Sequence, residues 1–103
     1  MAVNVSYNFG DSGSSNWGWK ITLSWVQNGE CKRLNNFETG TATSGTFTAD
    51  DNTLIAVIND KSVINGFSGI TATGGTFILI NDSADDGYLG AVYPTSDSVT
   101  ITF

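Results

Sequence analysis

The chain has 103 residues, the length of a single domain, and its 40% hydrophobic residues can fill one core without disulfides or metals. Ten acidic residues against four basic ones give a net charge of −6, which repels the phosphates of nucleic acids and of anionic membranes. No apolar run reaches the roughly 18 residues that a membrane-spanning helix needs. The composition therefore predicts one domain over residues 1–103, with no nucleic-acid partner and no membrane insertion.

The cysteine count and the N-terminal sequence indicate where the protein is made. Cys31 is the single cysteine, so no intramolecular disulfide can form, and a reducing compartment is the expected environment. The start MAVNVSYNFG has neither a basic n-region nor an apolar h-region. We therefore expect cytoplasmic synthesis without a signal peptide, with release to the cell surface by an unconventional route left open.

Alternation of period two predicts strands along most of the chain. The first strand is expected to bury one row of apolar side chains: Val3, Val5, Tyr7 and Phe9. The second is expected to place Trp17, Trp19, Ile21, Leu23 and Trp25 on one face, with Lys20, Thr22 and Ser24 on the other. Asn28-Gly29 then predicts a tight hairpin turn, with residues 31–37 returning as the partner strand. Cys31 is expected to be a half-buried thiol on that partner strand.

Two later segments are apolar without alternation. Residues 53–58, TLIAVI, predict a central strand that is covered on both faces, and residues 77–80 repeat this two-sided apolar character. Residues 88–93 and 99–103 are predicted to close the chain as strands. No segment shows a helical period over ten residues, so eight or nine short strands in an all-β domain are expected.

The chain also contains an internal repeat. Residues 35–47, NNFETGTATSGTF, return as residues 65–77, NGFSGITATGGTF, with eight of thirteen positions identical, and residues 49–57 are echoed by residues 84–92. The repeated unit is about 30–35 residues long. We predict an antiparallel two-sheet β-sandwich of the jelly-roll or Greek-key type with these repeats. A three-fold β-prism or trefoil is the alternative architecture.

Catalytic chemistry has few candidates in this sequence. Histidine is absent, which excludes Ser-His-Asp and Cys-His arrangements and every histidine-dependent zinc site. The paired carboxylates, Asp50-Asp51 and Asp85-Asp86, are sequence neighbours in predicted loops, whereas glycosidase acids face each other across a sugar. The sequence therefore predicts a protein that is not an enzyme and holds no cofactor, with calcium the one ion left open.

Calcium prefers several oxygen ligands from flexible loops. The densest set of such ligands predicted by the sequence is Asn81, Asp82, Asp85 and Asp86. Asn59-Asp60-Lys61-Ser62 also resembles the calcium motif of βγ-crystallins, although Val63 stands where that motif ends in serine. A calcium-binding βγ-crystallin-like structural module is thus the alternative function, and solvated turn acids are the simpler interpretation of the same residues.

Aromatic residues beside Asn, Asp and Gly in loops favour sugar recognition. An aromatic face packs on the apolar C–H patch of a pyranose, while amide and carboxylate oxygens bind its hydroxyls. The candidate carbohydrate-binding residues are Asn16, Trp17, Asn35, Asn36, Asp85, Asp86 and Tyr88. Trp17 and Tyr88 are expected at the rim of the domain, whereas Trp19 and Trp25 follow the core alternation.

The whole chain resembles the small hemagglutinins of slime-mould plasmodia. The resemblance rests on size, on an acidic, histidine-free composition, and on Asn/Thr/Gly-rich strands that include the start Ala-Val-Asn-Val after Met1. It implies a β-sandwich lectin that binds glycoprotein glycans at the cell surface and agglutinates cells through more than one site or through a homodimer. It assigns no sugar-contacting residue in this sequence.

Overall fold

The computed structural model describes residues 2–9, 21–35, 44–59, 70–83 and 87–103, with Asp82 and Ser83 described as backbone only. Within these ranges the chain forms strands and no helix. The strands are β1 (Val3–Asn8), β2 (Ile21–Gln27), β3 (Glu30–Asn35), β4 (Ser44–Ala49), β5 (Ile55–Asn59), β6 (Thr71–Thr73), β7 (Gly75–Ser83), β8 (Gly87–Pro94) and β9 (Ser98–Thr102). In this part of the chain, no helix has the length and apolarity needed to cross a membrane.

The strands form two sheets, as the prediction of an all-β, two-sheet domain requires. Sheet A has the strand order β4-β1-β9-β6, and sheet B has the order β3-β2-β5-β8-β7. All pairs are antiparallel except β1 with β9, which run parallel. The first and last strands therefore lie side by side in sheet A, with the Asn4 amide donating to the Asp97 carbonyl at 2.8 Å.

One hydrophobic core lies between the two sheets and gives a sandwich-like arrangement. Its buried residues come from both sheets: Val3, Val5, Tyr7, Phe9, Ile21, Leu23, Trp25, Ala49, Ile55, Val57, Val92, Val99 and Ile101. Trp25 of sheet B stacks on Phe47 of sheet A, with ring centroids 3.7 Å apart and planes 15° apart. Burying each large apolar side chain contributes about 1.5–3 kcal/mol. The predicted alternation is confirmed for β1 and for Ile21, Leu23 and Trp25 of β2, while Trp17 and Trp19 lie outside the described residues.

The predicted Asn28-Gly29 hairpin is confirmed, and a residue of the other sheet holds it. Asn28 and Gly29 have φ of 52° and 78°, the left-handed pair that a two-residue turn of matching twist needs. The Asp50 carboxylate accepts both turn amides, from Asn28 at 2.7 Å and from Gly29 at 2.9 Å. The Asp50 amide in turn donates to the Val26 carbonyl at 2.8 Å. Asp50 therefore joins sheet A to sheet B at this turn.

A second tie between the sheets lies at Gly74, where the chain passes from β6 in sheet A to β7 in sheet B. Gly74 has a φ of 80°, and a Cβ atom there would collide with the Ser98 carbonyl oxygen. The Gly74 carbonyl accepts the amides of Thr95 and Ser96 at 2.9 and 3.2 Å. Glycine is required at this crossover because the backbone is left-handed and the neighbouring chain is too close for a side chain.

Residues 53–58 contribute a central strand as predicted, but the prediction that this strand is covered on both faces is wrong. β5 is the middle strand of sheet B, but Ile58 on its outer face is 42% exposed. On the edge strand β7, Ile78 and Ile80 are 46% and 54% exposed. The reason is that the described residues provide a layer on the inner side of sheet B only. Cys31 lies on β3 as predicted, but its side chain is exposed rather than half-buried.

The two copies of the repeated sequence occupy different places. β4 and β7 carry the matching Gly-Thr-Phe segments, and they lie in different sheets. β5 and β8 carry the second echo, and they are neighbours in sheet B with Ala56 directly opposite Ala91. Phe47 and Phe77, which end the first repeat, both pack against the core. Residues 60–63 of the βγ-crystallin-like motif lie outside the described residues.

We predict that Asp50→Ala lowers the free energy of unfolding by about 1–3 kcal/mol, because it removes two hydrogen bonds to a charged acceptor. The measurement is urea unfolding followed by tryptophan fluorescence. Asp97→Ala is the matched control, since this exposed acid contributes its backbone rather than its side chain to the contact with Asn4, and a change within about 0.5 kcal/mol is expected. Equal losses in the two variants would contradict the role assigned to Asp50.

Candidate functional site

The strand ends that flank the predicted binding loops meet at one end of the two sheets, which we call the loop end. The register places these residues there: Asn8, Ile21, Asn35, Ser44, Asn59, Thr71, Ser83, Gly87 and Thr102. Segments 10–20, 36–43, 60–69 and 84–86 connect strands at this end. The opposite end, called the turn end, carries the Asn28-Gly29 turn and Asp50.

Two of the predicted carbohydrate-binding residues are described, and they lie on opposite faces of sheet B. Asn35 pairs with Thr22, in the outer row that continues to Ile58. Tyr88 pairs with the buried Asn59, in the inner row. Since Asn35 and Tyr88 stand on strands three spacings apart, their backbones are separated by about 14–15 Å. Both are at the loop end, but the strands do not bring them onto one surface.

The other predicted site residues are located only through their neighbours in the chain. Asn16, Trp17, Asn36, Asp85 and Asp86 lie outside the described residues. The strand ends that flank them, Ile21, Asn35, Ser83 and Gly87, are at the loop end. Of the predicted calcium ligands, Asn81 is exposed on β7 and Asp82 is described as backbone only.

The outer face of sheet A carries a surface that the sequence analysis did not single out. Its outward residues are uncharged and are all Ser, Thr or Asn: Asn4, Ser6, Asn8, Ser44, Thr46, Thr48, Thr71, Thr73, Ser98, Thr100 and Thr102. We call this surface the polar face. The alternation of β1 places Asn4, Ser6 and Asn8 opposite its apolar row. The same alternation, applied to the strands that pair with β1 in sheet A, would have identified the polar face.

The register arranges the polar face in rows that run across the strands. The middle row reads Thr46, Ser6, Thr100 and Thr73, and the row towards the loop end reads Ser44, Asn8, Thr102 and Thr71. Neighbours within a row are about 4.7–4.9 Å apart, and rows are about 6.4–6.8 Å apart. Threonine is stiff at χ1, so its hydroxyl direction is largely set before any ligand arrives.

A cleft of about 560 Å³ opens beside the polar face, where β1 and β4 approach the end of β2. Its lining combines five polar residues with two apolar ones: Asn4, Ser6, Gln27, Thr46, Thr48, Val5 and Phe47. Phe47 is partly buried and is held by its stack on Trp25. The cleft is thus bordered by neutral hydrogen-bonding groups and by Phe47, whose ring also packs on Trp25.

The turn end carries the acidic residues Asp50, Asp51 and Asp97. A second cleft of about 260 Å³ is lined by Asp51, Asn52 and Asp97, together with Val3 and residues 94–96. The neighbouring Asp50 carboxylate already accepts the hairpin amides. Across the described ranges, no group of three or more His, Cys, Asp or Glu side chains is close enough to hold a metal ion.

Comparison with known proteins adds nothing to this geometry. No protein-family model, curated protein or solved structure matches this chain.

We expect no measurable rise in the melting temperature when millimolar calcium replaces a chelator. A native-state site occupied at 100 times its Kd would stabilise the protein by about 2.7 kcal/mol, which corresponds to a rise of more than about 10 °C in a domain of this size. Differential scanning fluorimetry in calcium and in EDTA measures it. A rise of that size would contradict this expectation, and its loss in Asp85→Asn but not in Asp51→Asn would locate the ion in the calcium loop predicted from the sequence.

Proposed function

We propose that this protein is a lectin, a carbohydrate-binding protein without catalytic activity that recognises glycans on cell-surface glycoproteins. The observation that carries the proposal is the polar face, whose uncharged Ser, Thr and Asn side chains border a cleft containing Phe47. Each hydroxyl can donate and accept a hydrogen bond, as sugar hydroxyls also can. A surface without charge in a chain of net charge −6 suits a neutral polyhydroxylated ligand better than an ionic one.

The cleft supplies the two kinds of contact that a pyranose needs. Gln27 and Thr46 offer hydrogen bonds to hydroxyls, and the Phe47 ring offers an apolar surface for the C–H groups of the sugar. Pyranose rings of an extended glycan could continue from the cleft along the middle row to Thr100. Asn16, Trp17, Asn36, Asp85 and Asp86, which lie outside the described residues, remain a second set of candidates, together with Asn35 and Tyr88 at the loop end.

Affinity for a single glycan is expected to be modest. Each hydrogen bond on an exposed surface contributes about 0.5–1.5 kcal/mol after water is displaced. Strong attachment to a cell would then come from several sites acting together, because a second binding event becomes intramolecular once the first has formed. This pattern agrees with the agglutination that the resemblance to the small plasmodial hemagglutinins implies.

We also propose that the two sheets are connected as a Greek key. The support is that β1 and β4 pair in sheet A, while β2 and β3, between them in the chain, pair in sheet B. A fourth strand that returns beside the first is the mark of that connection. The internal repeat is supported by the direct pairing of Ala56 with Ala91, which occupy matching positions of the two echoes.

The proposal is tested with a glycan array and with red-cell agglutination inhibited by the glycans that bind. Thr46→Val with Thr48→Val removes two hydroxyls from the cleft while keeping β-branched strand residues. Loss of two hydrogen bonds, together about 1–3 kcal/mol, predicts about 5- to 150-fold weaker glycan binding. Thr76→Val, an exposed change on the outer face of sheet B, is the control and leaves affinity unchanged.

A parallel variant, Trp17→Ala, distinguishes the two candidate regions. Binding that survives Thr46→Val with Thr48→Val but is lost in Trp17→Ala would place the glycan at the loop end and not in the cleft. Absence of glycan binding on the array, combined with agglutination that no saccharide inhibits, would contradict the lectin proposal itself.

A further inference from the structure

Gln27 is the last residue of β2 and lines the cleft beside the polar face. The alternation of β2 places it in the same row as Ile21, Leu23 and Trp25, which points towards sheet A. Its carboxamide carries one acceptor oxygen and one NH₂ group with two donor hydrogens. The group that meets a ligand is therefore decided by what holds the other one.

The indole of Trp25 holds the oxygen of this carboxamide. Trp25 Nε1 donates a hydrogen bond to Gln27 Oε1, with the two atoms 3.1 Å apart. Because an indole N–H can only donate, the amide atom that faces it must be the oxygen. Among the described residues, no other hydrogen bond engages the Gln27 side chain. Gln27 Nε2 is thus the group available to a ligand.

Two further contacts keep the Gln27 amide in place. Trp25 is 8% exposed and stacks on Phe47 across the core at 3.7 Å, so its indole is not free to turn. The residue after Gln27 is Asn28, whose amide donates to the Asp50 carboxylate at 2.7 Å. The donor direction of Gln27 is therefore set before a ligand arrives, which lowers the side-chain entropy lost on binding.

The surroundings of this donor favour an uncharged acceptor. The polar residues that line the cleft with Gln27 are Asn4, Ser6, Thr46 and Thr48, and no charged side chain is among its described lining residues. A carboxylate or sulfate would find no cation in this lining, and the net charge of −6 would repel it. The acceptor that suits Gln27 is thus a neutral one.

The acetamido group of an N-acetylated sugar matches these neighbours. Its carbonyl oxygen accepts a hydrogen bond, its N–H donates one, and its methyl group is apolar. The cleft holds a partner for each part: the Gln27 amide for the carbonyl, a Thr46 or Thr48 hydroxyl for the N–H, and the threonine methyls with Phe47 for the methyl. A sugar hydroxyl matches the first two partners but not the third.

We propose that Gln27 is the specificity-determining residue of the cleft, and that it selects glycans carrying an acetamido group by donating from Nε2 to the acetamido carbonyl. Trp25 is a positioning residue, because it acts by holding Gln27 Oε1. This inference rests on the proposed lectin function and names the class of glycan that the same cleft takes.

The test compares saccharides that bind on the glycan array with counterparts that carry a hydroxyl in place of the acetamido group. Chitotetraose with cellotetraose and N-acetyllactosamine with lactose are the first pairs, and isothermal titration calorimetry gives the Kd of each member. One hydrogen bond contributes a factor of about 2–12, and burial of one methyl group a factor of about 4. The wild type is expected to bind the acetamido member about 8- to 50-fold more tightly.

Two substitutions of Gln27 separate its donor from its shape. Gln27→Met keeps the length without the donor, so the preference should fall to the factor of about 4 that the methyl group supplies. Gln27→Glu still accepts from the Trp25 N–H but turns an acceptor oxygen towards the acetamido carbonyl, and should abolish the preference. Thr76→Glu adds the same charge to the outer face of sheet B and should keep the wild-type preference.

The positioning role of Trp25 has its own variant. Trp25→Phe removes the indole N–H and retains an aromatic ring beside Phe47, so the Gln27 amide loses its fixed orientation. The preference for the acetamido member is expected to fall, while the affinity for cellotetraose or lactose stays that of the wild type. An unchanged preference would contradict this role. The ratio within each pair is the readout, since a general loss of structure would weaken both members alike.

The outcomes distinguish this proposal from the lectin proposal. A wild type that binds both members of every pair equally, or that prefers glucuronic-acid glycans, would overturn this proposal and leave the lectin proposal standing. Retention of the wild-type preference in both Gln27→Met and Gln27→Glu would overturn it as well. Absence of binding to any glycan would contradict the lectin proposal, and this one with it. Circular dichroism confirms that each variant is folded.

Discussion

Closure of two sheets over one shared core is the constraint on which the rest of this structure depends. Trp25 and Phe47 meet across that core at 3.7 Å, and Asp50 fastens the end of β4 to the β2–β3 hairpin. Because each strand turns alternate residues inward, the inner positions are mostly apolar side chains of suitable size, with the buried Asn59 an exception. The outer positions do not pack in the core, so the residue types found there reflect something other than core packing.

The two outer faces differ in their chemistry. Sheet A presents uncharged hydroxyl and amide groups, while the β5 and β8 part of sheet B presents Ile, Leu and Tyr around two alanines, beside the polar outward residues of β2 and β3. The proposed lectin function would account for the polar face, since its hydroxyl and amide groups suit a polyhydroxylated ligand.

Alternation and turn chemistry were sufficient to predict much of the fold. Val3, Val5, Ile21 and Leu23 are buried where the period-two pattern placed them, and Asn28-Gly29 forms the expected turn. The pattern could not tell a strand buried on two sides from a strand with an apolar outer face. Ile58 and Ile78 show this, because hydrophobicity reports a need for burial without saying whether the same chain or another one supplies it.

The candidate site was less predictable, for two physical reasons. A ligand surface on a sheet is assembled from strands that are distant in the sequence. Thr46 and Thr100 are the neighbours of Ser6, and only the strand register shows this. Register across sheets depends on tertiary pairing, which local patterns do not contain. Asp50 was interpreted as a loop acid for the same reason, since its partners, Asn28 and Gly29, lie more than twenty residues away.

The most direct test of glycan binding at the polar face is an NMR titration of the ¹⁵N-labelled protein with a saccharide that inhibits agglutination. The account predicts chemical-shift changes at the amides of β1 and β4, centred on Ser6, Thr46 and Thr48, with β7 and β8 unchanged. Changes centred on Ile78 and Ala91 of sheet B, with sheet A unaffected, would contradict it.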